Sequence, residues 1–299
     1  MFQPPGFDQR SVITSLGRMV YYTATGTPWD EDTANQEKET LVFLHGFGGG
    51  SSAYEWSKVY PAFASEYRII APDLLGWGRS EHPERNYRIQ DYLTTLKEFL
   101  QQTCQGAVTV IASSLTAALT IRLAISHPEL FKSLILTTPA GISDFGQDYS
   151  KNTFAQIVSI PLIDRLLYTT AIATSGGIRN FLEERQFAQA NRVYEEIVEA
   201  YLSSALQPNA EYAALSFVRG DLCFDLSLYI RDLTIPTAMI WGQKSKFTGP
   251  EIGQRLAEMN PVAIRFFQQL PDVGLTPQLE QPAVTIGLIR KFLPLLNSD

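Results

Sequence analysis

Apolar residues fall along this chain in two alternating rhythms. Short continuous runs, LVFLH (41–45), RIIAPD (68–73), AVTVIAS (107–113), SLILTTP (133–139), TAMIWG (237–242) and AIRFFQQL (263–270), have the length of strands buried on both faces. Between them lie stretches with apolar positions three and four apart, predicting helices over 51–65, 89–103, 115–126, 250–259 and 282–296. In the last of these, Val284, Leu288, Ile289, Phe292 and Leu295 fall on one face at helical spacing. Ahead of this series, SVITS and RMVYYTA flank Leu16-Gly17 and read as a hairpin. Strands alternating with helices over this length predict an α/β fold: a mostly parallel central sheet flanked by helices.

One interval breaks the rhythm. Residues 143–218 carry helical patterns and no convincing strand. Val193, Ile197, Tyr201, Leu202 and Ala205 form a broad apolar stripe, and Gly176-Gly177 and Gln207-Pro208-Asn209 read as turns. The expected organisation is a core of residues 1–142 and 219–299, with 143–218 a helical cap over one end of the sheet. Apolar cap residues such as Phe154, Ile157, Leu162, Leu166, Leu167, Ile172 and Phe181 are expected mainly to pack helix on helix. The polar stretch TPWDEDTANQEKET, with five acids and one lysine, reads as an exposed loop.

Composition narrows the function classes. The 299 residues are 45% hydrophobic and 18% charged, which is globular composition. With 24 Lys+Arg against 31 Asp+Glu the net charge is -7, and no basic stripe marks a nucleic-acid partner. Cys104 and Cys223 supply neither a disulfide framework nor a metal-ligand spacing. Gly46-Phe47-Gly48-Gly49-Gly50 lacks the Lys-Ser/Thr of a phosphate-binding loop. No cofactor and no metal are expected. The longest uncharged run, Phe99 to Ile121, is too polar for a membrane span of about 20 apolar residues. The opening MFQPPGFDQR lacks the apolar stretch of a signal peptide, so a cytoplasmic location is expected. The histidines number three: His45, His82 and His127.

Three segments carry chemistry. Phe43-Leu44-His45-Gly46-Phe47-Gly48-Gly49 is a strand ending in a His-Gly turn, and Asp73-Leu74-Leu75-Gly76-Trp77-Gly78-Arg79-Ser80 is a strand running into a glycine turn. In Val108–Ala118 a strand turns abruptly into a helix at Ser113-Ser114. In this order and spacing the segments resemble the α/β-hydrolase family over about residues 41–142 and 219–297. The resemblance implies a nucleophile position at Ser114, on a strained strand-to-helix turn that lifts its hydroxyl above the sheet. It also implies two backbone N–H donors for an oxyanion, from Phe47 and Leu115. The small residues that usually flank the serine are Ala112 and Thr116 here, the second bulkier than usual.

The same resemblance places the other two members of a Ser, Asp/Glu, His triad later in the chain. The acid follows a strand ending in Trp-Gly by three residues; after Trp241-Gly242 that position is Ser245. The histidine belongs to P-x-x-G-H-x-P-x-x-E-x-P. In Pro271-Asp272-Val273-Gly274-Leu275-Thr276-Pro277-Gln278-Leu279-Glu280-Gln281-Pro282 every landmark is present, and the histidine position is Leu275. Of the three histidines, His45 belongs to the turn beside the oxyanion loop, and His82 and His127 lie in polar surroundings. Asp144 and Asp272 are the nearest candidate acids, read as loop carboxylates. Ser113 reads as packing or a local hydrogen bond.

These residues leave three readings. The first is a hydrolase-fold protein with a degraded triad, hydrolysing weakly or not at all and binding a small apolar carbonyl or ester-type ligand. The second is a serine esterase or acyl hydrolase that uses Ser114 with a non-standard base, such as His45. The third is a non-catalytic interaction module whose pocket is filled by its own side chains.

Overall fold

A computed structural model describes residues 3–29, 38–147 and 163–297. The apolar runs become eight strands: β1 (Phe7–Thr14), β2 (Gly17–Ala24), β3 (Thr40–Leu44), β4 (Arg68–Pro72), β5 (Val108–Ser113), β6 (Phe131–Thr137), β7 (Thr237–Gly242) and β8 (Ile264–Leu270). They lie in the order β1-β2-β4-β3-β5-β6-β7-β8. The β1–β2 hairpin and the β2–β4 pair are antiparallel, and every pair from β4 through β8 is parallel. β5 is buried at every position, as a central strand covered on both faces must be.

Helices α1 (Ile89–Thr103), α2 (Ser114–Ser126), α7 (Pro250–Met259) and α9 (Pro282–Asn297) match the periodicity within a residue or so. Between β6 and β7 lie α3 (Ile163–Leu167), α4 (Ser175–Phe181), α5 (Glu195–Ala205) and α6 (Ala210–Arg219), and α8 is the short turn Pro277–Glu280. Among the described residues between β6 and β7 there is no strand, and one isolated bridge joins Ile142 to Phe224. Asp144 sits at that junction. Its buried carboxylate accepts the Gly141 and Leu226 N–H groups, and burial pushes its pKa up to about 6.

Several expectations are corrected. Residues 51–65 form two short 3-10 turns, Ala53–Trp56 and Tyr60–Phe63, because Pro61 removes an N–H that a continuous helix would need. Gly176-Gly177 lies inside α4, whose first turn is capped when the Thr174 hydroxyl accepts the Gly177 N–H at 3.0 Å. Leu166 is 62% exposed and so is not core. On α9 the buried face is Thr285, Ile289, Phe292, Leu293 and Leu296, one step round from the expected stripe, which leaves Val284 and Leu295 exposed. Phe154, Ile157 and Leu162, and most of the acidic stretch, lie outside the described residues.

Candidate functional site

Parallel strands bring the loops at their C-terminal ends to one edge of the sheet, and in open α/β sheets that edge is where sites are built. Here it receives the turns after β3, β5, β7 and β8. Ser114 follows β5 directly and opens α2 with φ of 56°, a left-handed conformation that costs a non-glycine residue about 1–2 kcal/mol. The abrupt turn predicted from sequence is therefore present despite Thr116, which is fully buried with its hydroxyl unbonded. Leu115 is in the first turn of α2, where N–H groups have no partner within the helix. The Phe47 N–H likewise has no hydrogen-bond partner among the described residues.

Gly46 explains how the two loops approach. A methyl group placed on it would lie 3.4 Å from the Ser114 Cβ and 3.6 Å from the Glu55 Oε2. His45, next to it, is fully buried and both ring nitrogens are engaged. Nε2 accepts the Leu74 N–H at 3.0 Å, which makes Nδ1 the protonated nitrogen that donates to the Gly46 carbonyl at 2.7 Å. Desolvation holds its pKa down at about 4. His45 thus pins the loop after β3 to the turn after β4 as a neutral imidazole.

The loops after β7 and β8 keep their backbone landmarks. The Lys244 N–H donates to the Val273 carbonyl at 2.9 Å, joining the two loops, and a methyl group on Gly242 would fall 1.9 Å from the Gly274 carbonyl oxygen. Glu280 reaches back from α8: Oε1 accepts the Gly274 N–H at 2.6 Å and Oε2 accepts the Ala188 N–H at 2.9 Å. The Leu275 N–H donates to the Gln186 carbonyl at 2.8 Å. These bonds hold Leu275 at the wall of the cavity that also contains Ser114. Ser245 is buried one loop away; it does not line that cavity and its hydroxyl has no partner. A model of the alpha/beta hydrolase fold matches residues 39–282.

The chain belongs to the alpha/beta hydrolase fold family. It is 26% identical over 288 residues to an uncharacterized hydrolase of Bacillus subtilis, YugF, covering 94% of this chain and 96% of that one. It is 23% identical over 297 residues to epoxide hydrolase 4 of Mus musculus, covering 94% of this chain and 78% of the relative. A serine hydrolase involved in carbazole degradation superposes with a TM-score of 0.75 at 19% identity, covering 97% of this chain and 99% of that structure. Relatives named for such different reactions leave the chemistry to be argued from the site of this hydrolase-fold chain itself.

The cavity over Ser114 measures about 20 Å3, and one water needs roughly 10–15 Å3. Its walls come from both sides of the sheet edge: Phe47, Ser114 and Leu275 from the strand loops, and Phe181, Gln186 and Phe217 from the helical segment between β6 and β7. None of the three histidines lines it. His82 bonds the Gly78 carbonyl through Nε2, and His127 pairs with Glu129 near the surface. Asp272 is exposed and does not line the cavity.

Sequence reading missed the cavity's polar wall. Glu55 is 1% exposed; its Oε2 accepts the Gly46 N–H at 2.9 Å and its Oε1 accepts the Tyr201 hydroxyl at 3.0 Å. Gln186 Nε2 donates to Tyr201 at 2.8 Å and to Thr276 at 3.2 Å, tying the helical segment to the Leu275 loop. Gln278 donates to Ser113 at 3.0 Å, so Ser113 has a specific side-chain partner. Burial pushes the Glu55 pKa up, and hydrogen bonds from Gly46, Ser51, Tyr201 and Gln278 work against that rise. The available signal was an acid between Tyr54 and Trp56 just ahead of Pro61: a continuous helix could turn Glu55 outward, whereas broken turns fold it in.

Proposed function

We propose that this chain is a hydrolase-fold protein that binds a small, mostly apolar ligand and does not efficiently turn it over. Residues 1–142 and 219–299 form the core, and 143–218 acts as a cap over the cavity. The observation that carries this reading is Leu275, held at the cavity wall beside Ser114 in the position its sequence landmarks assign to the triad histidine. Leucine cannot accept a proton, and His45, the non-standard base considered from the sequence, has both nitrogens committed to backbone groups.

Magnitudes favour binding over turnover. Losing the histidine of a serine-hydrolase triad costs about a millionfold in kcat, and loss of the acid adds little because the members act as a unit. That is roughly 8 kcal/mol of transition-state stabilisation. What an oxyanion hole and binding supply without a triad is about 10³–10⁴ over water. The N–H groups of Phe47 and Leu115 remain suited to hold a carbonyl or hydroxyl oxygen of the ligand, with Ser114 as a contact and not a nucleophile.

The test is turnover of short-chain p-nitrophenyl esters by wild type and Ser114→Ala. The expected result is a Ser114-dependent rate no greater than the residual level above. A rate typical of esterases that disappears in Ser114→Ala would overturn the proposal.

A further inference from the structure

Glu55 is a buried carboxyl with no opposite charge beside it among the described residues, and burial by itself favours its neutral form. Among the described residues no lysine, arginine or histidine lines the cavity, and the partners that hold its two oxygens are neutral donors. Buried charges in proteins are ordinarily paired, because desolvating a lone ion is expensive. Four phenylalanines share the same wall: Phe47, Phe181, Phe217 and Phe247. Phe47 and Phe217 stack at 6.3 Å, and Phe181 and Phe247, both partly exposed, approach to 6.0 Å. Phenyl faces attract cations. The Gln186 side-chain oxygen adds a neutral acceptor, since its hydrogen bonds to Tyr201 and Thr276 use the amide nitrogen alone.

On the reading that this cavity binds a ligand, we infer that its ligand carries a small primary alkylammonium group, with the cationic head beside Glu55 and the apolar stem among the phenylalanines. Size supports a primary head: an ammonium is about as large as a water, and the cavity holds one or two.

Methylammonium and methanol test this, each two heavy atoms that match the cavity and differing in charge; the amine stays protonated at pH 7.5 because such groups titrate near 10. Calorimetric titration of the full chain should give at least about tenfold tighter binding of the ammonium, and Glu55→Gln should bring the two within about threefold. Equal affinities in wild type, or binding of neither compound, would overturn the inference. The ester-turnover test is independent of this comparison, so failure here does not by itself remove the proposed function. Should Glu55→Gln fail to fold, the wild-type pair of affinities still decides the matter.

Discussion

The two halves of the site differ in what each has kept. On the β3 and β5 side, Ser114 has a φ of 56°, the Phe47 N–H has no partner among the described residues, and His45 braces the loop, the arrangement we propose is that of a serine hydrolase. On the β7 and β8 side, the backbone is just as firmly built, with Gly242 against Gly274 and Glu280 holding the turn, and it carries Ser245 and Leu275, which we propose stand at the acid and histidine positions. The difference teaches that the loop architecture does not need the catalytic side chains. It is held by glycines, main-chain bonds and Glu280, so the chemistry can change while the fold remains.

The strongest way to break this comparison is to restore the second half. Ser245→Asp combined with Leu275→His should raise Ser114-dependent ester hydrolysis by about 10²-fold or more, since a positioned general base contributes 10²–10⁴. Adding Glu55→Gln to that pair should leave the rate within about threefold, since burial favours the neutral form of Glu55. Unchanged turnover in all these variants, each folded, would mean that more than two side chains separate this site from a working triad.

The retained half can be probed through His45. Its folded pKa of about 4 lies below the ordinary imidazole value of about 6.5. The unfolded chain therefore takes up the proton first, and the neutral ring's contribution is complete above about pH 6.5 and lost as pH falls toward 4. His45→Gln keeps one donor and one acceptor but does not titrate. Urea titrations should show the stability gap between wild type and variant shifting by about 1.4 kcal/mol per pH unit below 6, to wild type's disadvantage. Asp73 and Asp144, both pushed up to about 6 by burial, act in the opposite sense but are common to both proteins, so the difference isolates the histidine.

Most of the fold was legible in the sequence. Runs such as LVFLH and AVTVIAS declared buried parallel strands, and the landmarks from Pro271 to Pro282 located the Leu275 loop before any coordinates. Ser114 and Leu275 both line the cavity, and Ser245 does not. Less legible was Glu55, because a lone acid in an amphipathic stretch reads as solvated until Pro61 breaks the helix. Gln186 and Tyr201 could not be placed either: their contacts to Thr276 and Glu55 span 90 and 146 positions, and no local spacing encodes such pairs.

The smallest effect concerns Ser245. Its buried hydroxyl has no partner, and an unsatisfied buried polar group costs about 1–3 kcal/mol. Ser245→Ala should raise stability by about 1 kcal/mol in urea unfolding. A loss of similar size would show that the hydroxyl has a partner when the protein is in solution.

The claim at the centre of this account is that Ser114 has the geometry of a nucleophile but no base to activate it. Reaction with a fluorophosphonate, followed by intact mass and peptide mapping, addresses that directly. The expected result is no adduct at Ser114 under conditions that fully label an active serine esterase. Rapid, stoichiometric labelling of Ser114 in the wild-type chain, absent from Ser114→Ala, would contradict it.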